Sequence, residues 1–179
     1  MRFFNSADIE FYRRKIILES VDIKKASLST YSKNVFLSHS SKDVDMLPSV
    51  INFLEKYGAK VYIDKNDTEL PRVTSPETAK ILKDNIKKCD KFILLITENS
   101  RDSRWIPWEL GIADIAKNIN NVALFPSTDA LSPSWVKQEY LGLYSKITKN
   151  AFKGSSNEVW MVYDAHKNTG VELSQWLKK

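Results

Sequence analysis

The chain alternates between short apolar runs and longer segments in which apolar residues recur every three or four positions. Uninterrupted apolar runs of this length predict buried β-strands, and a spacing of three and four predicts helices. Strands that alternate with helices are typical of a parallel sheet with helices on both faces. We therefore predict an α/β fold with a flavodoxin-like, open, five-stranded parallel sheet, its strands at residues 35–37, 60–63, 91–97, 121–125 and 158–163.

Helix signals lie between these runs. Val44, Leu47, Ile51, Leu54 and Tyr57 fall near one helical face, and the following Gly58 is a natural helix stop. Proline is common in the first turn of a helix, so Pro76 is expected to begin the next one. Further helices are predicted after the third strand, at residues 133–144 and at residues 171–178.

The first thirty residues differ from the rest of the chain. Residues 7–23 are compatible with a helix, with Ile9, Tyr12 and Ile16 at spacings of three and four, and residues 26–32 are mostly small and polar. We expect residues 1–30 to be an N-terminal helical extension with a linker, and residues 31–179 to be a single domain.

Net charge, the length of the apolar runs and the cysteine content predict the classes of partner and the compartment. The net charge of +5 is spread along the chain, and the densest basic run is the three residues 13–15, so no nucleic acid partner is predicted. The apolar runs are too short to cross a membrane, so no membrane partner is predicted. The single cysteine, Cys89, cannot form an internal disulfide, which fits a reducing, cytoplasmic compartment. We predict that Cys89 is a small buried structural thiol.

Several common site motifs are absent from the sequence. Neither GxxxxGK[ST] nor GxGxxG occurs, and two histidines with one cysteine cannot close a zinc site, so no metal is predicted. A triad of Ser38, His39 and Asp43 has poor geometry, because adjacent residues at a strand end point in opposite directions.

A glutamate stands among apolar residues in DSRWIPWELGIA, residues 102–113. At helical spacing Glu109 lies one turn after Trp105, in a stripe that continues through Ile112 and Ala116. Three interpretations stay open from the pattern alone: a favourable interaction with the helix dipole, an ion pair, or a functional carboxylate. The helix follows the third strand, and open parallel sheets bind ligands beyond the carboxyl ends of their strands.

Four segments in order resemble a Toll/interleukin receptor (TIR) domain of the bacterial type. They are VFLSHSSKD at residues 35–43, GAKVYID at 58–64, IKKCDKFILLIT at 86–97 and SRWIPWEL at 103–110. The resemblance covers residues 33–165, and the last segment keeps the family's spacing of serine, tryptophan and glutamate. It departs from the family at Ile106, where cysteine is usual, and at residues 71–75, where the family often has Pro-Gly-Asp.

The resemblance implies an enzyme that cleaves NAD⁺ between nicotinamide and ribose, with Glu109 as its catalytic residue. NAD⁺ is then the substrate, and no cofactor is needed. A neutral nicotinamide leaves without a general acid, and the carboxylate would stabilise the cationic ribose. The candidate substrate-binding residues, whose other roles are core packing, helix capping or solvated loop charge, are Trp105, Ser38, His39, Ser40, Ser41, Asp64 and Arg72.

The resemblance also implies a standalone TIR protein of an antiphage defence system such as Thoeris. Such a protein would self-associate through TIR–TIR contacts and release an ADP-ribose-derived signal, cyclic in one alternative, for a separate effector. A non-catalytic interaction module and a nucleoside or deoxyribosyl transferase are the competing hypotheses. The retained Glu109 and Trp105 favour the enzyme over the module.

Overall fold

The described residues of the computed structural model, 1–19, 33–63, 75–103, 105–128 and 139–179, contain one seven-stranded sheet in the order β2-β1-β3-β4-β5-β6-β7. The strands are β1 Lys33–Ser38, β2 Ala59–Tyr62, β3 Lys91–Ile96, β4 Val122–Pro126, β5 Ser145–Ala151, β6 Glu158–Asp164 and β7 Thr169–Glu172. The helices are α1 Ser6–Glu19, α2 Leu47–Lys56, α3 Pro76–Lys88, α4 Trp105–Ala116 and α5 Leu173–Trp176.

The first five strands are parallel, and their spatial order 2-1-3-4-5 is that of flavodoxin-like sheets. The predicted α/β class is therefore confirmed, although the sheet is larger than five strands. The predicted fifth strand is β6, which pairs antiparallel with β5 and with β7. β5 was not predicted, because its sequence SKITKNA contains little apolar character.

The boundaries of the helices agree only in part with the start and stop signals in the sequence. Gly58 has a positive φ of 97° just after α2, a backbone conformation that favours glycine. Ser75 caps α3 by accepting a hydrogen bond from the backbone N–H of Thr78. The predicted helix at 171–178 was wrong at its first two residues, because β7 runs to Glu172 and α5 begins at Leu173. The predicted helix at 133–144 lies largely outside the described residues, and its described part is a 3₁₀ turn at Glu139–Leu143.

Alternating strand residues build two cores, one on each face of the sheet. Val35 and Leu37 of β1 belong to the core beneath α1, α2 and α5. Phe36, between them, belongs to the core beneath α3 and α4. Cys89 lies buried in this second core as a free thiol, and burial raises its pKa, as expected for a structural cysteine.

The N-terminal residues contribute to the first core. Phe4 is fully buried, and its ring centroid lies 5.0 Å from that of Phe53 and 5.1 Å from that of Phe125. Backbone bridges join Phe4 to Ser127 and Arg2 to Lys149. The predicted boundary between residues 30 and 31 lies outside the described residues, so the division of the chain remains a prediction. Within the described part of the chain, no helix is long and apolar enough to span a membrane.

Candidate functional site

The carboxyl edge of the sheet holds a buried pair formed by a serine and a glutamate. Ser38 is the last residue of β1, and its Oγ donates a hydrogen bond of 2.5 Å to Oε2 of Glu109 on α4. Only 1% of Ser38 and 2% of Glu109 is exposed. A separation this short is typical of a hydroxyl that donates to a carboxylate. Glu109 is thus tied to the sheet edge where open parallel sheets bind ligands.

Packing of α4 explains why Glu109 is buried. Ile106, Leu110 and Ala113 form the deepest stripe of the helix and pack into the second core. Glu109 lies beside this stripe and is turned towards the end of β1. The stripe predicted through Glu109 is less buried than expected, because Ile112 is half-buried and Ala116 is exposed.

The start of α4 is set by local chemistry. Ser103 Oγ accepts a hydrogen bond of 3.4 Å from the backbone N–H of Ile106, which places Ser103 as a capping group. Pro107, in the first turn, has no N–H that would need an acceptor. Ile106 is 3% exposed, so the position at which the family usually has cysteine serves core packing in this chain.

Two indoles flank the helix start. The rings of Trp105 and Trp108 meet edge to face, with centroids 5.4 Å apart and an interplanar angle of 78°. Lys83 of α3 places Nζ 5.6 Å from the ring centroid of Trp108. Both tryptophans pack against the second core and are only half-buried. Each therefore combines a packing role with indole surface that a flat ligand ring could contact.

The turn after β1 is more buried than its polar sequence suggests. His39 is 3% exposed, with Nδ1 lying 3.3 Å from the carbonyl oxygen of Leu37. Its Nε2 is buried and has no hydrogen-bond partner in the part of the chain that the structure describes. Ser40 Oγ accepts from the N–H of Lys42 and caps the 3₁₀ helix Ser41–Met46, whereas Ser41 is exposed. Of the two roles left open for Ser40 and Ser41, capping is observed for Ser40.

A second buried carboxylate lies in the same turn. Asp43 is 4% exposed and accepts hydrogen bonds from Thr97 Oγ1 at 2.8 Å and from Asn99 Nδ2 at 2.6 Å. Those donors follow β3, so the carboxylate joins two loops and takes no part in a triad with Ser38 and His39. Sequence reasoning missed this network. Its only signal was an aspartate after the first strand and a Thr-x-Asn after the third.

The other predicted site residues are not all brought together. Asp64 and Arg72 lie outside the described residues, so their roles remain predictions. Three surface cavities of about 270, 490 and 270 Å³ are lined by other residues, and neither Ser38, Trp105 nor Glu109 contributes to them. The candidate site therefore rests on the chemistry of the Ser38–Glu109 pair and on its place at the sheet edge.

The amino-acid sequence of this chain is similar to those of known proteins. The sequence profile of the TIR domain family matches residues 35–133, more than half of the chain. The "Probable 3' cyclic ADP-D-ribose synthase ThsB'" of Bacillus cereus (strain MSX-D12) is 34% identical over 165 residues, which cover 88% of this chain and 84% of that protein. The "Putative cyclic ADP-D-ribose synthase TIR2" of Cytobacillus dafuensis is 30% identical over 80 residues, which cover 43% of this chain and 21% of that protein.

One solved structure is a more distant match. The CMP N-glycosidase BcmB of Clostridium botulinum is 24% identical, with a TM-score of 0.39, over 60% of this chain and 81% of that one. The profile match and the relative that aligns along most of both chains decide the family. This chain belongs to the TIR domain family.

Proposed function

We propose that this protein cleaves NAD⁺ between nicotinamide and ribose and releases an ADP-ribose-derived, cyclic product. The observation that carries the proposal is the buried Glu109 carboxylate, held by Ser38 at the carboxyl edge of a parallel sheet. Two relatives are named as cyclic ADP-D-ribose synthases, which supports a cyclic ADP-ribose product.

A single carboxylate can assist cleavage of the bond between ribose and nicotinamide. The bond between ribose C1′ and the pyridinium nitrogen breaks, and its electron pair neutralises the departing nicotinamide. Positive charge then develops on the ribose, where a preorganised carboxylate in a buried site stabilises it. A hydroxyl of the ADP-ribose itself, or water, attacks C1′ and releases its proton to the solvent. The first nucleophile yields a cyclic product and the second yields ADP-ribose.

Ser38 and Trp105 have separate roles in this scheme. The Ser38 hydroxyl fixes Oε2 of Glu109, so the carboxylate keeps its orientation as charge develops on the sugar. The half-buried indole of Trp105 supplies a wall against which nicotinamide or adenine would stack. His39, Ser40, Ser41, Asp64 and Arg72 remain predicted substrate contacts.

Self-association and signalling complete the proposal. Membership of the TIR family supports assembly through contacts between TIR domains. The diffusible product would then act on a separate effector in antiphage defence. This second step is a prediction from the resemblance to TIR proteins of antiphage defence systems.

The decisive experiment is incubation of the purified protein with NAD⁺, with products analysed by chromatography and mass spectrometry. We expect nicotinamide together with a product one water lighter than ADP-ribose. Glu109→Gln keeps the volume and an acceptor oxygen for Ser38 but removes the charge, so we expect it to be slower by about 10³-fold. Equal rates for the two proteins would rule out Glu109 as the catalytic group.

The competing functions have their own outcomes. A non-catalytic module would release no nicotinamide even at high protein concentration with a crowding agent, although it self-associates in sedimentation. A deoxyribosyl transferase would instead exchange bases on deoxynucleosides and leave NAD⁺ intact.

A further inference from the structure

Asp43 is a buried carboxylate that the proposed chemistry does not use. It lies in the turn after β1, where its own N–H donates to the carbonyl of Ser40 at 2.9 Å. Its side chain crosses to the turn after β3 and accepts from Thr97 Oγ1 and Asn99 Nδ2. Both donors are neutral and directional, so the contact specifies a geometry as well as solvating a buried charge.

The two donors to Asp43, Thr97 and Asn99, belong to a turn with its own hydrogen bonds. Thr97 caps the 3₁₀ turn Glu98–Asp102, and its N–H donates to Ser100 Oγ at 3.0 Å in a capping box. Ser100 Oγ in turn donates to the carbonyl of Leu95 in β3 at 3.2 Å. The turn therefore forms one hydrogen-bonded unit that is anchored to the end of β3.

This unit leads directly into the helix that carries Glu109. Ser103 follows the turn and caps α4 through the N–H of Ile106, and Glu109 lies one turn further along the helix. On the other side, the turn that contains Asp43 follows Ser38. Asp43 thus connects the two chain segments whose side chains meet in the Ser38–Glu109 bond.

We propose that Asp43 is a positioning residue: it ties the turn after β1 to the turn after β3 and so sets the geometry of the Ser38–Glu109 pair. The proposal rests on the function proposed above, because that pair is the group on which NAD⁺ cleavage depends. Asp43 touches no substrate in this scheme. Its loss should therefore act on kcat while KM changes little.

The first variant is Asp43→Asn. An amide offers one acceptor oxygen where the carboxylate offered two. Either the Thr97 hydroxyl, which must then accept from the new NH₂ group, or the NH₂ group of Asn99 therefore loses its acceptor. Small displacements of a catalytic group are costly, and we expect kcat to fall about 30-fold with KM within about threefold of the wild type.

The second variant is the reciprocal exchange Asp43→Asn with Asn99→Asp. The amide at position 43 then accepts from Thr97 and donates to the carboxylate at position 99, so both hydrogen bonds are rebuilt with donor and acceptor reversed. We expect kcat to return to within about threefold of the wild type, because the two positions are coupled and not additive.

Two matched controls separate positioning from charge and from stability. Asp45→Asn removes an exposed carboxylate from the same 3₁₀ helix and should leave kcat unchanged. Val50→Ala creates a cavity beneath α2, lowers the melting temperature, and should leave kcat unchanged when it is assayed well below that temperature.

Amide hydrogen exchange over residues 97–110 makes the test independent of activity. We expect faster exchange in Asp43→Asn and recovery in the reciprocal variant. Exchange that does not change in Asp43→Asn overturns the proposal, and so does a kcat within about threefold of the wild type. If the wild type does not cleave NAD⁺, the proposed function fails, and the exchange data still decide whether Asp43 positions α4.

Discussion

The Ser38 hydroxyl and the Glu109 carboxylate meet at 2.5 Å although 71 positions separate them in the sequence. They meet because β1 pairs with β3, and because the chain turns from β3 into α4 above the same sheet edge. The bond therefore depends on the assembled fold, and changes to either partner test it.

Replacing Ser38 by alanine should slow NAD⁺ cleavage. The variant removes a hydrogen bond to a buried carboxylate, an interaction of about 1.5–3 kcal/mol, so we expect kcat to fall about 10- to 100-fold. Steady-state kinetics of nicotinamide release measures the change. Ser174→Ala on α5 is the matched control and should keep the wild-type kcat. A Ser38→Ala enzyme as fast as the wild type would contradict the role given to this hydroxyl.

Trp105 should affect substrate binding more than the chemical step. Stacking of a base on an aromatic ring contributes about 1–3 kcal/mol, so Trp105→Ala should raise KM about tenfold or more. Trp105→Phe should retain part of the affinity. The same pair of changes at Trp108, whose ring contacts Lys83 and Trp105, gives the comparison. Equal effects at both positions would show that packing, and not ring contact, dominates.

Phe4→Ala should destabilise the whole domain. The ring is fully buried between Phe53 and Phe125, and truncation of a buried phenylalanine costs about 3–5 kcal/mol. For a chain of this size the melting temperature should fall by about 10 °C. Phe11→Ala removes a ring that is 57% exposed and should change it little. A wild-type melting temperature for Phe4→Ala would mean that residues 1–5 can detach without loss.

Tyr12 should weaken the fold at alkaline pH. Burial, followed by the influence of Tyr57 and Asp8, raises its pKa from 10.0 to about 12. Because the pKa in the folded state is the higher one, the contribution is intact below about pH 10 and is lost as the pH rises towards 12. By pH 11 the loss amounts to about 1 kcal/mol of unfolding free energy.

Urea denaturation of the wild type and of Tyr12→Phe at pH 8 and pH 11 measures this contribution. Tyr12→Phe should lack the additional alkaline loss. Tyr163→Phe, which removes a hydroxyl bonded to Asn168 near the surface, should keep it. Parallel pH dependence in the wild type and Tyr12→Phe would contradict the prediction.

Sequence patterns located the central strands and α4 because each is a local apolar signal. The spacing of Trp105 and Glu109 also placed the key carboxylate correctly on a helix at the sheet edge. The pattern could not show that Ser38 is its partner, since that bond depends on pairing between distant strands. β5 was not predicted because only Ile147 and Thr148 of its seven residues are buried, so its sequence contains no apolar run. The hydrogen bonds of Asp43 were not predicted because only the folded geometry identifies Thr97 and Asn99 as its partners.

The backbone bridges of the N-terminal residues affect the order of folding during synthesis. β4 and β5 pair through only Ala123–Ser145 and Leu124–Lys146, and the N-terminal segment spans the same junction by bridging Phe4 to Ser127 and Arg2 to Lys149. These partners leave the ribosome long after the first residues have emerged. The opening segment can therefore complete these bridges only after the second half of the sheet has been made.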